Sequence, residues 1–70
     1  MAITKEAKTA IINSNIQQIK NTLYNLEITA RVNKKVGDDK GTDDIKKQMV
    51  ELEKKVEEFN NILKEVEKEE

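Results

Sequence analysis

Ile45, Met49, Leu52, Val56, Phe59, Leu63 and Val66 recur at alternating steps of four and three residues, so the second half of the chain carries an unbroken apolar stripe of heptad period. Such a stripe runs along one side of an α-helix and demands a second apolar helix to cover it. The first half supplies one: Ile12, Ile16, Ile19, Leu23, Leu26 and Ala30 follow the same alternation. Pairing Ala30 with Met49, Leu26 with Leu52, Leu23 with Val56, Ile19 with Phe59, Ile16 with Leu63 and Ile12 with Val66 keeps the summed residue numbers at 78 or 79 throughout. That constancy is the register of an antiparallel hairpin. The expected fold is all-α, an antiparallel two-helix coiled-coil hairpin spanning residues 1–70 as a single domain.

Local signals set the expected boundaries. Thr4 is a candidate N-cap ahead of Lys5, Glu6 and Ala7, and helix 1 is expected over about 4–35. The stretch 36–41 holds both glycines, Gly37 and Gly41, and reads as a loop. Thr42 is the expected N-cap of helix 2, with Asp43 and Asp44 in the first turn and the helix running to about Lys68. A continuous helix through both glycines would cost roughly 1 kcal/mol at each.

This register leaves helix 1 overhanging by about ten residues, with Ile3, Ala7, Ala10 and Ile11 uncovered. It also sets Glu27 near Glu53 and Lys34 near Lys46. Along the outer side of helix 1 a second, weaker stripe runs through Ile3, Ala7, Ala10, Ser14, Gln17, Asn21, Tyr24, Ile28 and Arg31, whereas the outer side of helix 2 is Lys and Glu with Asn60 and Asn61. A two-faced helix beside a one-faced helix predicts a bundle with helix 1 inside and helix 2 outside. The chain is therefore expected to form a homo-oligomer, with Ile3, Ala7, Ala10, Ile11 and Ser14 at the interface.

Size and composition bear on the same point. A chain of 70 residues buries little surface, and with no Cys and no His it has neither disulfides nor the usual zinc sites as staples. No apolar run exceeds three residues, so neither a membrane span nor a secretory leader is expected, and the reading is a cytoplasmic protein. Thirteen basic side chains against fourteen acidic ones provide no global field toward nucleic acid or membrane. Twelve lysines against one arginine, with frequent Asn and Ile, fit an AT-rich genome such as that of a low-GC bacterium or its phage, in which case the compartment is the bacterial host cytoplasm.

Chemistry has little to work with. Ser14 is the only serine, no nucleophile motif or phosphate-binding glycine loop is present, and an enzyme is not expected. Carboxylates at helical spacing such as Glu53 and Glu57 read as a solvated face laced with pairs such as Lys47 with Glu51 and Lys54 with Glu58. The acidic stretch 37–44 fails as a calcium loop because Lys40 and Gly41 fall where oxygen ligands are needed. No metal or cofactor is expected.

One patch stands apart. Tyr24 and Arg31, the only Tyr and Arg, lie two helical turns apart on one face with Ile28 between them, bordered by Asn21, Asn25, Lys34 and Lys35. An aromatic ring, a guanidinium and amides suit a protein partner's carboxylates or a phosphate-bearing ligand. The plain alternative makes Tyr24 and Ile28 interface filler and pairs Arg31 with Glu27 or a neighbouring subunit. The leading functional reading is a non-enzymatic protein-binding or assembly module acting by helix-face docking, in concrete form a phage-encoded inhibitor or adaptor. The second is an oligomeric sponge that sequesters a nucleotide-like ligand between subunits, Tyr24 stacking while Arg31, Lys34 or Lys35 hold phosphate. The third is an RNA-binding four-helix-bundle hairpin using the basic loop end, where Asp38, Asp39, Asp43 and Asp44 offset much of the positive field.

Overall fold

The computed structural model describes residues 2–69 and contains two helices packed against each other, α1 (Lys5–Lys35) and α2 (Asp39–Glu67). The hairpin is a rod of 53 × 16 × 15 Å. All thirteen stripe residues turn inward, each buried or half-buried, and Ile12, Ile16 and Val66 form a buried cluster against which Val56, Phe59 and Leu63 pack. Thr9 and Asn33, one step beyond the stripe of α1 at either end, are half-buried as well, so the seam continues through polar residues to both ends.

The start of α1 follows its capping chemistry. Thr4 is extended, and its hydroxyl accepts from the Ala7 amide at 3.1 Å. Ile3 therefore precedes the helix and does not continue the outer stripe of α1 by helical geometry.

The loop differs from expectation. Thr42 is not the N-cap of α2, and the segment 36–41 is not all loop: Asp38 caps the helix, accepting from the Gly41 amide at 2.9 Å, and α2 begins at Asp39. The cause lies one residue earlier. Gly37 adopts φ +81°, the left-handed conformation that costs an L side chain about 1 kcal/mol or more. It closes α1 as a Schellman motif, with the Gly37 amide donating to the Lys34 carbonyl (3.3 Å) and the Asp38 amide to the Asn33 carbonyl (2.8 Å). The chain has then already reversed, and Asp38 is free to start the next helix. Thr42 sits inside the first turn, its hydroxyl donating to the Asp38 carbonyl at 2.9 Å.

At the far end, long side chains bridge the expected overhang. Lys5 Nζ donates to the Glu67 carbonyl at 2.8 Å, and Lys8 pairs with Glu69 at 2.9 Å, so long side chains of α1 close over the end of α2. Ile3, Ala7, Ala10 and Ile11 remain exposed at this end. The Lys8–Glu69 contact is the single ion pair within 4 Å among the described residues. The expected lacing of α2 by Lys–Glu pairs is thus absent there, as solvated long side chains gain little from such contacts.

The core is thin. Among the described residues only Ile12, Ile16, Ile45 and Val66 are buried. The accessible surface is 5748 Å², against about 4,500 Å² for a compact monomer of this mass. The radius of gyration is 16.2 Å, against about 11 Å for a compact chain of this length. Among the described residues no helix is long and apolar enough to cross a membrane.

Candidate functional site

With one side of α1 spent on α2, its opposite side carries most of the exposed apolar surface. Tyr24 is 64% exposed, Ile28 45% and Val32 55%, and Ile3 and Ile11 are exposed at the other end. Between these two apolar ends lies a belt of exposed amides, Gln17, Gln18, Asn21 and Asn25, in which Gln17 Nε2 donates to Asn21 Oδ1 at 3.0 Å. Helical periodicity forces this division. Residues three and four apart share a face, so a sequence that places Ala7, Ala10, Ser14, Asn21 and Ile28 in step presents them together.

The patch read from the sequence splits into two parts in space. Arg31, Lys34 and Lys35 line one open groove together with Val32 and Val36. Tyr24, Ile28, Asn21 and Asn25 are exposed along the helix and line neither this groove nor the second one that Arg31 borders. Arg31 makes no ion pair with Glu27 within 4 Å, so one turn of spacing alone does not tie it down. Arg31 also borders a second groove with Lys34, Lys46, Asp39 and Asp43, so two carboxylates share it with three cations. The early start of α2 puts Asp39, Asp43 and Lys46 on one helical face.

Val32 and Val36 are the residues that sequence reasoning passed over. Both are exposed, Val36 at 72%, and they complete a run of apolar side chains at four-residue steps from Ile28. The step of four was legible, but Val36 had been assigned to the loop. On α2, Val50 and Ile62 are the exposed large apolar side chains, set among Lys and Glu.

The arrangement can bury apolar side chains against another surface, hydrogen-bond through amides, and offer cations at one end. It assembles no group of three His, Cys, Asp or Glu side chains suited to a metal among the described residues. No protein-family model matches the chain, and no curated protein or solved structure matches it significantly.

Proposed function

We infer that this protein is a non-enzymatic docking or assembly module that works through the outer face of α1, with Tyr24, Ile28 and Arg31 as its anchors. The observation that carries this reading is the exposure of Tyr24, Ile28 and Val32 on a helix whose other side is already packed, while α2 turns a mostly charged surface to solvent, interrupted by Val50 and Ile62. Aromatic, aliphatic and Arg side chains clustered on one face are the composition of interface anchors, and a helix face is a common way to present them. A thin core points the same way, because burying a second face of α1 would add to a seam that holds only four well-buried side chains.

The test is a photoreactive side chain placed at Tyr24 and, as a control, at Lys54 on the outer face of α2, in cells that express the protein. The expected result is a discrete cross-linked product from position 24, weakened by Arg31→Ala, and none from position 54. Products that are the same from both positions, or none from position 24, would remove the docking face.

A second reading is supported by the groove shared by Arg31, Val32, Lys34, Lys35 and Val36, in which cations border an apolar floor. It is a sponge for a nucleotide-like ligand held between subunits, with Tyr24 stacking on the base and the cations holding phosphate. Native mass spectrometry decides it: a fixed added mass per site on gently purified protein supports the sponge, and a clean multiple of the chain mass counts against it.

A further inference from the structure

The outer face of α1 is divided by size. Its first half presents Ala7, Ala10 and Ser14, its second half Asn21, Tyr24 and Ile28, and all six are exposed. The two sets are spaced alike, at steps of three and four, and they mirror each other about Gln17 and Gln18. Ala7 with Ile28 sums to 35, Ala10 with Tyr24 to 34 and Ser14 with Asn21 to 35. We propose that this face pairs with the same face of a second copy, antiparallel, about a two-fold axis beside Gln17 and Gln18. The proposal rests on the reading of the face as a docking surface and names its occupant.

Three features favour this partner and this direction. Antiparallel pairing sets Tyr24 and Ile28 of one copy over Ala10 and Ala7 of the other, the large-over-small fit by which facing helices fill space. Parallel pairing stacks Tyr24 on Tyr24 and leaves a gap between alanines. Charge selects the same direction. α1 carries six basic and two acidic side chains, three of the basic ones gathered at Arg31, Lys34 and Lys35, so parallel copies would bring two positive clusters together. Antiparallel copies hold those clusters apart by the length of the helix and bring Arg31 opposite Thr4 of the other copy, within a turn of its Glu6.

At the centre, Gln17 and Gln18 each meet their own counterpart. A primary amide carries both donor and acceptor, so it is complementary to its symmetry mate. Gln17 already donates one N–H to Asn21, leaving its carbonyl oxygen and a second N–H for the other copy. The contact strip is about 35 to 40 Å long and about 10 Å wide on each copy. That amounts to on the order of 800 Å² over both, below the roughly 1,200 Å² at which stable specific interfaces begin, and the dimer is accordingly weak, transient and concentration-dependent. In this assembly the Tyr24 patch and the alanine patch are two halves of one self-complementary surface.

The chain has no cysteine, so disulfide trapping reads the register directly. Ala7→Cys mixed with Ile28→Cys should give a cross-linked dimer under mild oxidation that neither forms alone, and Gln18→Cys should cross-link with itself. All three positions are exposed, and circular dichroism checks that each chain keeps its helicity; Gln17→Cys serves as a second probe of the axis. Self-linking of Ile28→Cys as readily as the mixture, or a monomer by sedimentation at high micromolar concentration, would overturn the proposal. If the monomer nonetheless yields a discrete product of another mass from the photoreactive Tyr24 position, the docking face survives and only the self-pairing is lost. A monomer without any such product removes both.

Discussion

Asp38 holds two helix ends at once. Its amide closes α1 on the Asn33 carbonyl, its carboxylate accepts from the Gly41 amide at the start of α2, and its carbonyl accepts from both the amide and the hydroxyl of Thr42. Gly41 is tied to this arrangement sterically. A β-carbon there would press on the Asp38 carboxylate, with Cγ 2.8 Å away and Asn33 Nδ2 at 3.0 Å. A glycine inside a helix ordinarily loses about 1 kcal/mol relative to alanine, but here the alanine would displace a cap worth about as much. Gly41→Ala should therefore leave stability nearly unchanged. Asp38→Ala should cost about 1 kcal/mol, and Gly41→Ala added to it should recover about 1 kcal/mol, a coupling that a double-mutant cycle by urea denaturation would measure. Additive effects would show that the cap does not constrain residue 41.

At the scale of the helices, position outweighs residue type. Ile16 is buried in the seam and Val50 is half exposed on the outer face of α2, although both are β-branched residues in mid-helix. Ile16→Ala should lower stability by about 2–4 kcal/mol, and Ile16→Asp should abolish helicity because a carboxylate has no partner there. Val50→Ala should change stability by no more than about 0.5 kcal/mol, alanine being the better helix former. Thermal denaturation followed by circular dichroism checks all three, and equal losses at Ile16 and Val50 would sink the seam. This seam was legible in the sequence because heptad spacing fixes the direction of every side chain along a helix, and constant residue sums fix the pairing. The start of α2 was not legible: Asp38 and Thr42 are both good caps, and only the left-handed turn at Gly37 decides between them. The helix-end lysines were missed for a related reason, since Lys5 and Lys8 reach across the end of α2 by side-chain length, which a pairing of backbone positions leaves out. The outer face was half legible. Its stripe was plain in the spacing, yet Val32 falls outside the three-and-four repeat that ends at Arg31, and Val36 falls in the stretch read as a loop.

For the whole molecule, the thin rod and the unpaired face of α1 bear on the same equilibrium. A hairpin with few well-buried side chains is a marginal monomer, and pairing through a second face stabilises the folded form by mass action. Stability should then depend on protein concentration, which no intramolecular feature can produce. Tenfold dilution should lower the melting temperature by roughly 3 to 5 °C for a folded dimer in equilibrium with unfolded chains of this size. Ala10→Glu places a bulky charge where Tyr24 of the second copy would lie, without touching the seam. It should abolish the concentration dependence, and at high concentration bring the melting temperature down toward the value the unaltered protein approaches on dilution. A melting temperature that does not move on dilution would mean that α2 alone stabilises α1. A dependence that persists in Ala10→Glu would place the self-contact elsewhere, with the exposed Val50 and Ile62 of α2 the next positions to alter.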